Sequence, residues 1–360
     1  MQTYTMTLLD WNQISNNMID KHIQSYQLLE ELGRGSYGCL FLGQSLIDNQ
    51  YVAIKVLSKT GLDTRQLQLQ QLEMDIQKPL NHPHVLGLKD VIQEQDFIYM
   101  IMELCDGGDL FEYVIQHPHK EDELVKTLFL QILEGIEYLH TEGIYHRDIK
   151  LENILLSEKN VCKVADFGLA TKERFSLEFG CGSTTYLGPE HFANEEEQEE
   201  QDVPYDAAAS DIWSLGILLL ALLFNKNPWY EATTEDVTFA EYKQNPSSLC
   251  TLFPRLSHAC AQFLIDHVLC IDPRQRCDIQ TLKQAWMSLT NLTVMPVDII
   301  NTKASYDSAY FSHETGLSWS DMVEQDLAED EEDDEDDDFE HLTEDEELFI
   351  HVQEKESWWL

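Results

Sequence analysis

The chain has 360 residues and a formal net charge of −43, from 66 acidic residues against 23 Lys and Arg. Such an excess repels nucleic-acid phosphates and anionic lipid head groups, so neither nucleic acid nor membrane is expected as a direct partner and basic partners are favoured. The 43% hydrophobic content supplies a core for one large two-lobed domain or two to three small ones, and the eight cysteines contain no C-x-x-C pair, which points to a reduced intracellular compartment, cytoplasmic or nuclear.

Residues 1–25 carry no strong pattern beyond a short helix within Met6–Met18, and the start lacks the basic and apolar regions of a signal peptide. Apolar and β-branched runs then predict strands near Tyr26–Leu32, Cys39–Gly43, Tyr51–Leu57, Leu86–Gln93 and Phe97–Glu103, with one helix at about Thr64–Lys78. Between the first two strands lies Gly33-Arg34-Gly35-Ser36-Tyr37-Gly38. This G-x-G-x-x-G spacing is a weak signal alone, because dinucleotide-binding turns share it. Those turns open a helix, whereas this one runs into Cys39-Leu40-Phe41-Leu42, a strand. A glycine loop joining two strands can fold over phosphates.

Beyond Leu104 the pattern becomes helical. In Asp122–Thr141 the residues Leu124, Leu128, Ile132, Ile136 and Leu139 recur every three or four positions as one buried face, and Gly143 is the stop signal. Ile212–Phe224 is the most apolar stretch. At 13 residues it falls short of the ~20 that a membrane span needs, so it reads as a buried helix, with Ser210 as its expected N-cap. The acidic run Glu195–Asp202 reads as a solvated loop. Residues 297–360 hold 23 Asp or Glu against 2 Lys, and self-repulsion is expected to leave this tail disordered. It is read either as a solubilising segment or as a docking or autoinhibitory one anchored by Phe339, Leu348, Phe349, Trp358 and Trp359.

The chemistry is concentrated in Tyr145-His146-Arg147-Asp148-Ile149-Lys150-Leu151-Glu152-Asn153, followed by Asp166-Phe167-Gly168. Asp148 is placed to receive a hydroxyl proton and Lys150 to neutralise a moving phosphate. Asn153 and the later Asp166 can hold magnesium. Together they form the parts of a phosphoryl-transfer centre. His146 reads as a packed core histidine.

With these motifs in this order, the chain resembles the eukaryotic protein kinase family from about Tyr26 to Ser288. The resemblance implies an α+β, two-lobed protein-kinase fold with a small β-rich N-lobe and a larger helical C-lobe. The domain would occupy residues 26–288, after an N-terminal extension (1–25) and before the acidic tail (297–360). It implies a serine/threonine protein kinase using ATP and Mg2+, with Asp148 and Lys150 catalytic and with Asn153 and Asp166 as metal ligands. The implied ATP site comprises Leu32, Gly33, Arg34, Gly35, Ser36, Tyr37, Gly38, Cys39 and Leu40 around the glycine loop, Ala53 and Lys55 of V-A-I-K, and Glu73 as the helix partner of Lys55. Glu103 and Cys105 would form the adenine-binding hinge, and Asp109 would meet the ribose or a basic substrate side chain.

The same resemblance pairs Glu190 of Gly188-Pro189-Glu190 with Arg276, and lets Ser183 bond both Asp148 and Lys150, the arrangement of Ser/Thr kinases. Gly180-Cys181-Gly182-Ser183, Leu151 and Asn227-Pro228-Trp229 resemble the fungal kinase group that contains the negative regulator of sexual conjugation and meiosis. Two departures stand out. Phe179 occupies the position where a phosphorylated Ser or Thr is common, with Glu178 beside it to meet Arg147, and Gln77 replaces a usual apolar residue of the first helix. Core cysteines read as small buried hydrophobes, with Cys105 at the hinge and Cys181 before Gly182 the two that merit a test of thiol reactivity. The competing reading is a catalytically silent kinase-fold scaffold that recruits basic proteins; retention of every metal and phosphate residue counts against it. Implied partners are protein substrates with basic residues near the acceptor.

Overall fold

The β-branched and aromatic runs of the first hundred residues pair into one antiparallel sheet, in the order β1-β2-β3-β4-β6-β5. Its strands are β1 (His22–Ile23), β2 (Tyr26–Gly35), β3 (Gly38–Ser45), β4 (Tyr51–Ser58), β5 (Leu88–Gln93) and β6 (Phe97–Glu103). The structure is a computed structural model and describes residues 11–35, 38–157, 159–192 and 203–294. The expectations for Ser36, Tyr37, the acidic run 195–202 and the tail 297–360 lie outside these residues.

Side-chain alternation divides the sheet into two apolar faces. Val52, Ile54 and Val56 of β4 join Leu28, Cys39, Phe41, Tyr99 and Ile101 on one face, which α1 (Trp11–Met18) covers with Met18, Ile14 and Trp11. Ala53 and Leu57 point the other way, with Leu40, Met100 and Met102, against Met74 of α2 (Thr64–Gln77). Lys55 has the same parity as Ala53 and Leu57, so the pleat itself turns its ammonium toward α2. That helix opens with a capping box, in which Asp63 accepts from the Gln66 backbone and the Gln66 side chain accepts from Asp63 N. The expected strand start at Leu86 moves to Leu88, because the Leu86 N–H donates instead to the carbonyl of Val164 at 2.9 Å.

The remainder is helical: α3 (Leu110–Gln116), α4 (Asp122–Thr141), α5 (Ala207–Phe224), α6 (Val237–Gln244), α7 (Leu249–Leu252), α8 (His258–Phe263) and α9 (Ile279–Ser288). Two short antiparallel pairs interrupt it, β7 (Ile154–Leu156) with β8 (Cys162–Val164), and β9 (Phe175–Ser176) with β10 (Tyr205–Asp206). Helix α4 has the predicted bounds, and Gly143 follows it at φ 72, where a side chain would be strained.

Helix α5 is apolar on all sides because it is enclosed on all sides, with Ile212, Trp213, Leu215, Ile217 and Leu218 in the core. It starts a turn earlier than predicted. Its N-cap is Asp206, whose carboxylate accepts from Ala208 N, and not Ser210. Ala207-Ala208-Ala209 are strong helix formers that let the helix run back to the earlier acid, a cap worth about 1 kcal/mol. Ser210 instead places its hydroxyl 2.9 Å from His191 Nε2.

Candidate active site

The hairpin β2–β3 carries the glycine motif, with Gly33 opposite Leu40, Arg34 opposite Cys39 and Gly35 opposite Gly38. It joins strand to strand, as the sequence predicts. At Gly38 a Cβ would collide with the carbonyl of Val56, so only glycine lets β3 lie this close to β4 there.

Beneath this hairpin, Lys55 Nζ donates to Glu73 Oε1 at 2.7 Å, and both side chains are buried. Burial pulls the lysine toward neutrality, but the carboxylates of Glu73 and Asp166 outweigh it and hold the ammonium's pKa above its ordinary value. The register of α2 is therefore the expected one. Gln77 is accommodated because its buried amide donates to the Leu86 carbonyl at 3.2 Å.

The loop after α4 supplies the rest. Asp148 Oδ1 accepts from both the backbone N–H and the hydroxyl of Ser183, each at 2.9 Å. Its Oδ2 accepts from Asn153 Nδ2 at 2.9 Å and lies 3.1 Å from Lys150 Nζ. Lys150 also donates to Ser183 Oγ at 2.8 Å, closing the bonds expected between these three residues. Asp166 sits at φ 64 with Oδ1 accepting from Gly168 N at 3.2 Å. A cavity of about 360 Å³ is lined by Lys55, Glu73, Asp148, Lys150, Asp166 and Ser183, so the two halves of the predicted set face one space.

Among the described residues, no three His, Cys, Asp or Glu cluster as a metal site. A magnesium site needs fewer protein ligands, since that ion keeps waters and takes phosphate oxygens. Asn153 fits it: its Nδ2 is bonded to Asp148, while its Oδ1 is buried with no hydrogen-bond partner.

Other predicted residues lie at the edge. Ala53 is buried opposite Met102, and Glu103 ends β6, where its Oε1 accepts from Gly87 N at 2.8 Å and pairs with Lys163 at 2.8 Å. Leu32 is exposed, and Leu40 and Cys39 lie on opposite faces of β3. Asp109 is buried and caps α3 through Glu112 N. Cys105 is poorly suited to reaction, because burial pushes its thiol up to about 12.

Asp211 was missed by the sequence reading. From inside α5, with 1% of its surface exposed, it accepts from the backbone N–H of His146 at 2.9 Å and of Arg147 at 2.8 Å. Arg147 has φ 66, and these two bonds hold that uncommon conformation. The only sequence signal was an acid at the head of an apolar run. His146 is fully buried, with Nε2 2.9 Å from the Ala165 carbonyl, as a packed histidine.

The segment leading to Glu190 is tied at both ends. Arg147 donates to Glu178 Oε2 at 2.8 Å and to the Leu169 carbonyl at 2.6 Å, while Phe179 packs on Tyr205 with ring centroids 5.3 Å apart. Glu190 takes two bonds from Arg276, at 2.6 and 2.7 Å. Burial works to raise the Glu190 carboxyl, and Arg276 outweighs it to hold the group below its usual range. That stabilisation is present above the ordinary glutamate pKa and is lost as pH falls through the depressed value.

A profile of the protein kinase domain matches residues 26–287. The chain is 32% identical over 300 residues to the negative regulator of sexual conjugation and meiosis of Schizosaccharomyces pombe, covering 78% of this chain and 63% of that protein. It is 33% identical over 288 residues to the serine/threonine-protein kinase ksp1 of the same organism, covering 75% and 58% respectively. Identity is 35% over 263 residues to the SNF-related serine/threonine-protein kinase of Rattus norvegicus, covering 72% of this chain and 33% of that one. The chain spans less than two-thirds of the length of these curated relatives.

Proposed function

Because the chain belongs to the protein kinase family, we propose that it transfers the γ-phosphate of ATP to serine or threonine hydroxyls of protein substrates. The observation that carries this reading is the bonded cluster of Asp148, Lys150 and Ser183, with Asn153 bonded to Asp148, facing Lys55, Glu73 and Asp166 across one cavity. A silent scaffold would have no use for that arrangement.

In this reading the glycine hairpin and Lys55 hold the ATP phosphates, with Glu73 fixing Lys55. The segment from Glu103 to Cys105 receives the adenine. Asp148 orients the acceptor hydroxyl and takes its proton, and Lys150 offsets charge developing on the transferred group. Asn153 and Asp166 would hold magnesium, which when bound neutralises charge on the phosphate oxygens. Residues 26–288 would form the catalytic domain. The bond from Lys150 to Ser183 supports serine or threonine as acceptor.

Substrates with a basic residue near the acceptor suit the site. Glu152 Oε2 is buried without a hydrogen-bond partner, and burial, joined by the carboxylates of Asp148 and Asp109, raises the pKa of this acid. A guanidinium there would find a charge-assisted bond. The acidic surface also disfavours nucleic acid and membrane as partners, and the reduced cysteines suit a cytoplasmic or nuclear setting.

The deciding experiment is transfer from labelled ATP to a basic test protein. Wild-type transfer is expected, with Asp148→Asn lowering it at least about a hundredfold. No transfer by folded wild type, or equal transfer by both, would overturn the proposal. Protein made in bacteria and treated with phosphatase is expected to remain active without a lag, because Glu178 already meets Arg147. Activity that emerged only after preincubation with ATP would move the switch to Ser176, Thr184 or Thr185.

A further inference from the structure

Helix α1 precedes the matched family region, and none of the chemistry above employs it. Trp11 meets Phe97 edge-on at 6.4 Å between ring centroids, and Met18 is buried on the outer face of the sheet. Between these anchors, Ser15 is 1% exposed and donates its hydroxyl to Glu31 Oε2. Arg34 grips the same carboxylate with Nε and Nη2, each at 2.8 Å, and its Nη2 lies 3.4 Å from Ser15 Oγ.

This meeting depends on an irregular strand. Residues three apart on a regular strand face opposite sides. The register shift between Glu31 and Gly33 brings Glu31 and Arg34 to the same side, where α1 lies. Arg34 is flanked by Gly33 and Gly35, which have no side chains, so it is the handle by which this part of the motif can be held from outside.

We propose that Ser15, acting through Glu31 and Arg34, positions the glycine-rich hairpin over the ATP phosphates, making α1 a nucleotide-positioning element of this chain. The inference rests on reading the cleft as an ATP site. The guanidinium, and with it the hydroxyl, holds Glu31 ionised, which favours the bidentate grip over a loose hairpin.

The test is steady-state phosphorylation by the full chain, with ATP varied at saturating peptide. Ser15→Ala and Glu31→Gln are each expected to raise KM for ATP roughly threefold to tenfold with kcat within about twofold, and Ser15→Thr to keep the wild-type KM. Trp11→Ala, which loosens α1 without touching the three polar groups, should shift KM in the same direction. An inactive wild type would refute the ATP-site reading. An active wild type with KM unchanged in Ser15→Ala and Glu31→Gln would refute this inference alone. So would a fall in melting temperature and kcat with KM constant, the signature of a merely structural helix. If Ser15→Ala does not fold, Glu31→Gln decides.

Discussion

Lys55→Met is expected to lower phosphoryl transfer at least about a thousandfold while a cooperative melt persists. The substitution keeps an apolar stem of similar reach between Ala53 and Leu57 and removes only the ammonium. That ammonium is charged despite its burial, because Glu73 and Asp166 hold it so, and it is the strand's one positive group aimed into the cavity. Stability should fall, since Glu73 loses its 2.7 Å partner. Breaking a buried pair costs about 3–5 kcal/mol, an upper bound here because Glu73 lines the cavity, where water can reach it. Transfer rates and calorimetry on the same preparation separate the two effects. A variant keeping more than about a tenth of wild-type activity would remove Lys55 from the mechanism.

Asp166→Ala should lower turnover by about three orders of magnitude, with Asn153→Ala close behind, and excess chelator should abolish wild-type activity. Both residues offer oxygen to a hard cation, Asn153 through a buried Oδ1 with no other partner and Asp166 from a backbone held at φ 64. Losing either leaves the metal with one fixed protein ligand fewer. A magnesium titration is the direct check: the variants should need more metal for half-maximal rate. Undiminished wild-type turnover in chelator would exclude the metal from the reaction.

Much of the site was legible because its residues are fixed by short motifs. Lys55, Asp148, Asn153 and Asp166 each occupy a spacing that chemistry constrains, and strand parity alone turns Lys55 inward. The bonds Glu73–Lys55, Glu190–Arg276 and Glu178–Arg147 were also anticipated, because opposite charges at family-like positions imply them. Residues serving through distant tertiary bonds were not. Asp211 reaches a loop 64 positions away in sequence, and its place at the head of an apolar run does not disclose that reach. Ser210 looked like a cap because serine is a good one, yet Asp206 with three alanines behind it captured the helix start. Cys105 merited a reactivity test from its place at the hinge, and packing, which pushes its thiol up, favours the buried-hydrophobe reading instead. The polar contact of Ser15 with β2 depended on a bulge that no residue pattern announced.

The loop bearing Asp148 can be regarded as a short beam with two supports. At one end Asp211 clamps consecutive N–H groups, and at the other the Asn153 carbonyl accepts from Ala165 N at 2.9 Å where β7 begins. A beam held at both ends deflects least when its span is short, and Asp148 lies within a span of only a few residues. Its carboxylate is therefore stiff before any nucleotide arrives. Under the proposed mechanism, the ordering of the base is then met during folding, and substrate binding has only the hairpin and the acceptor left to arrange.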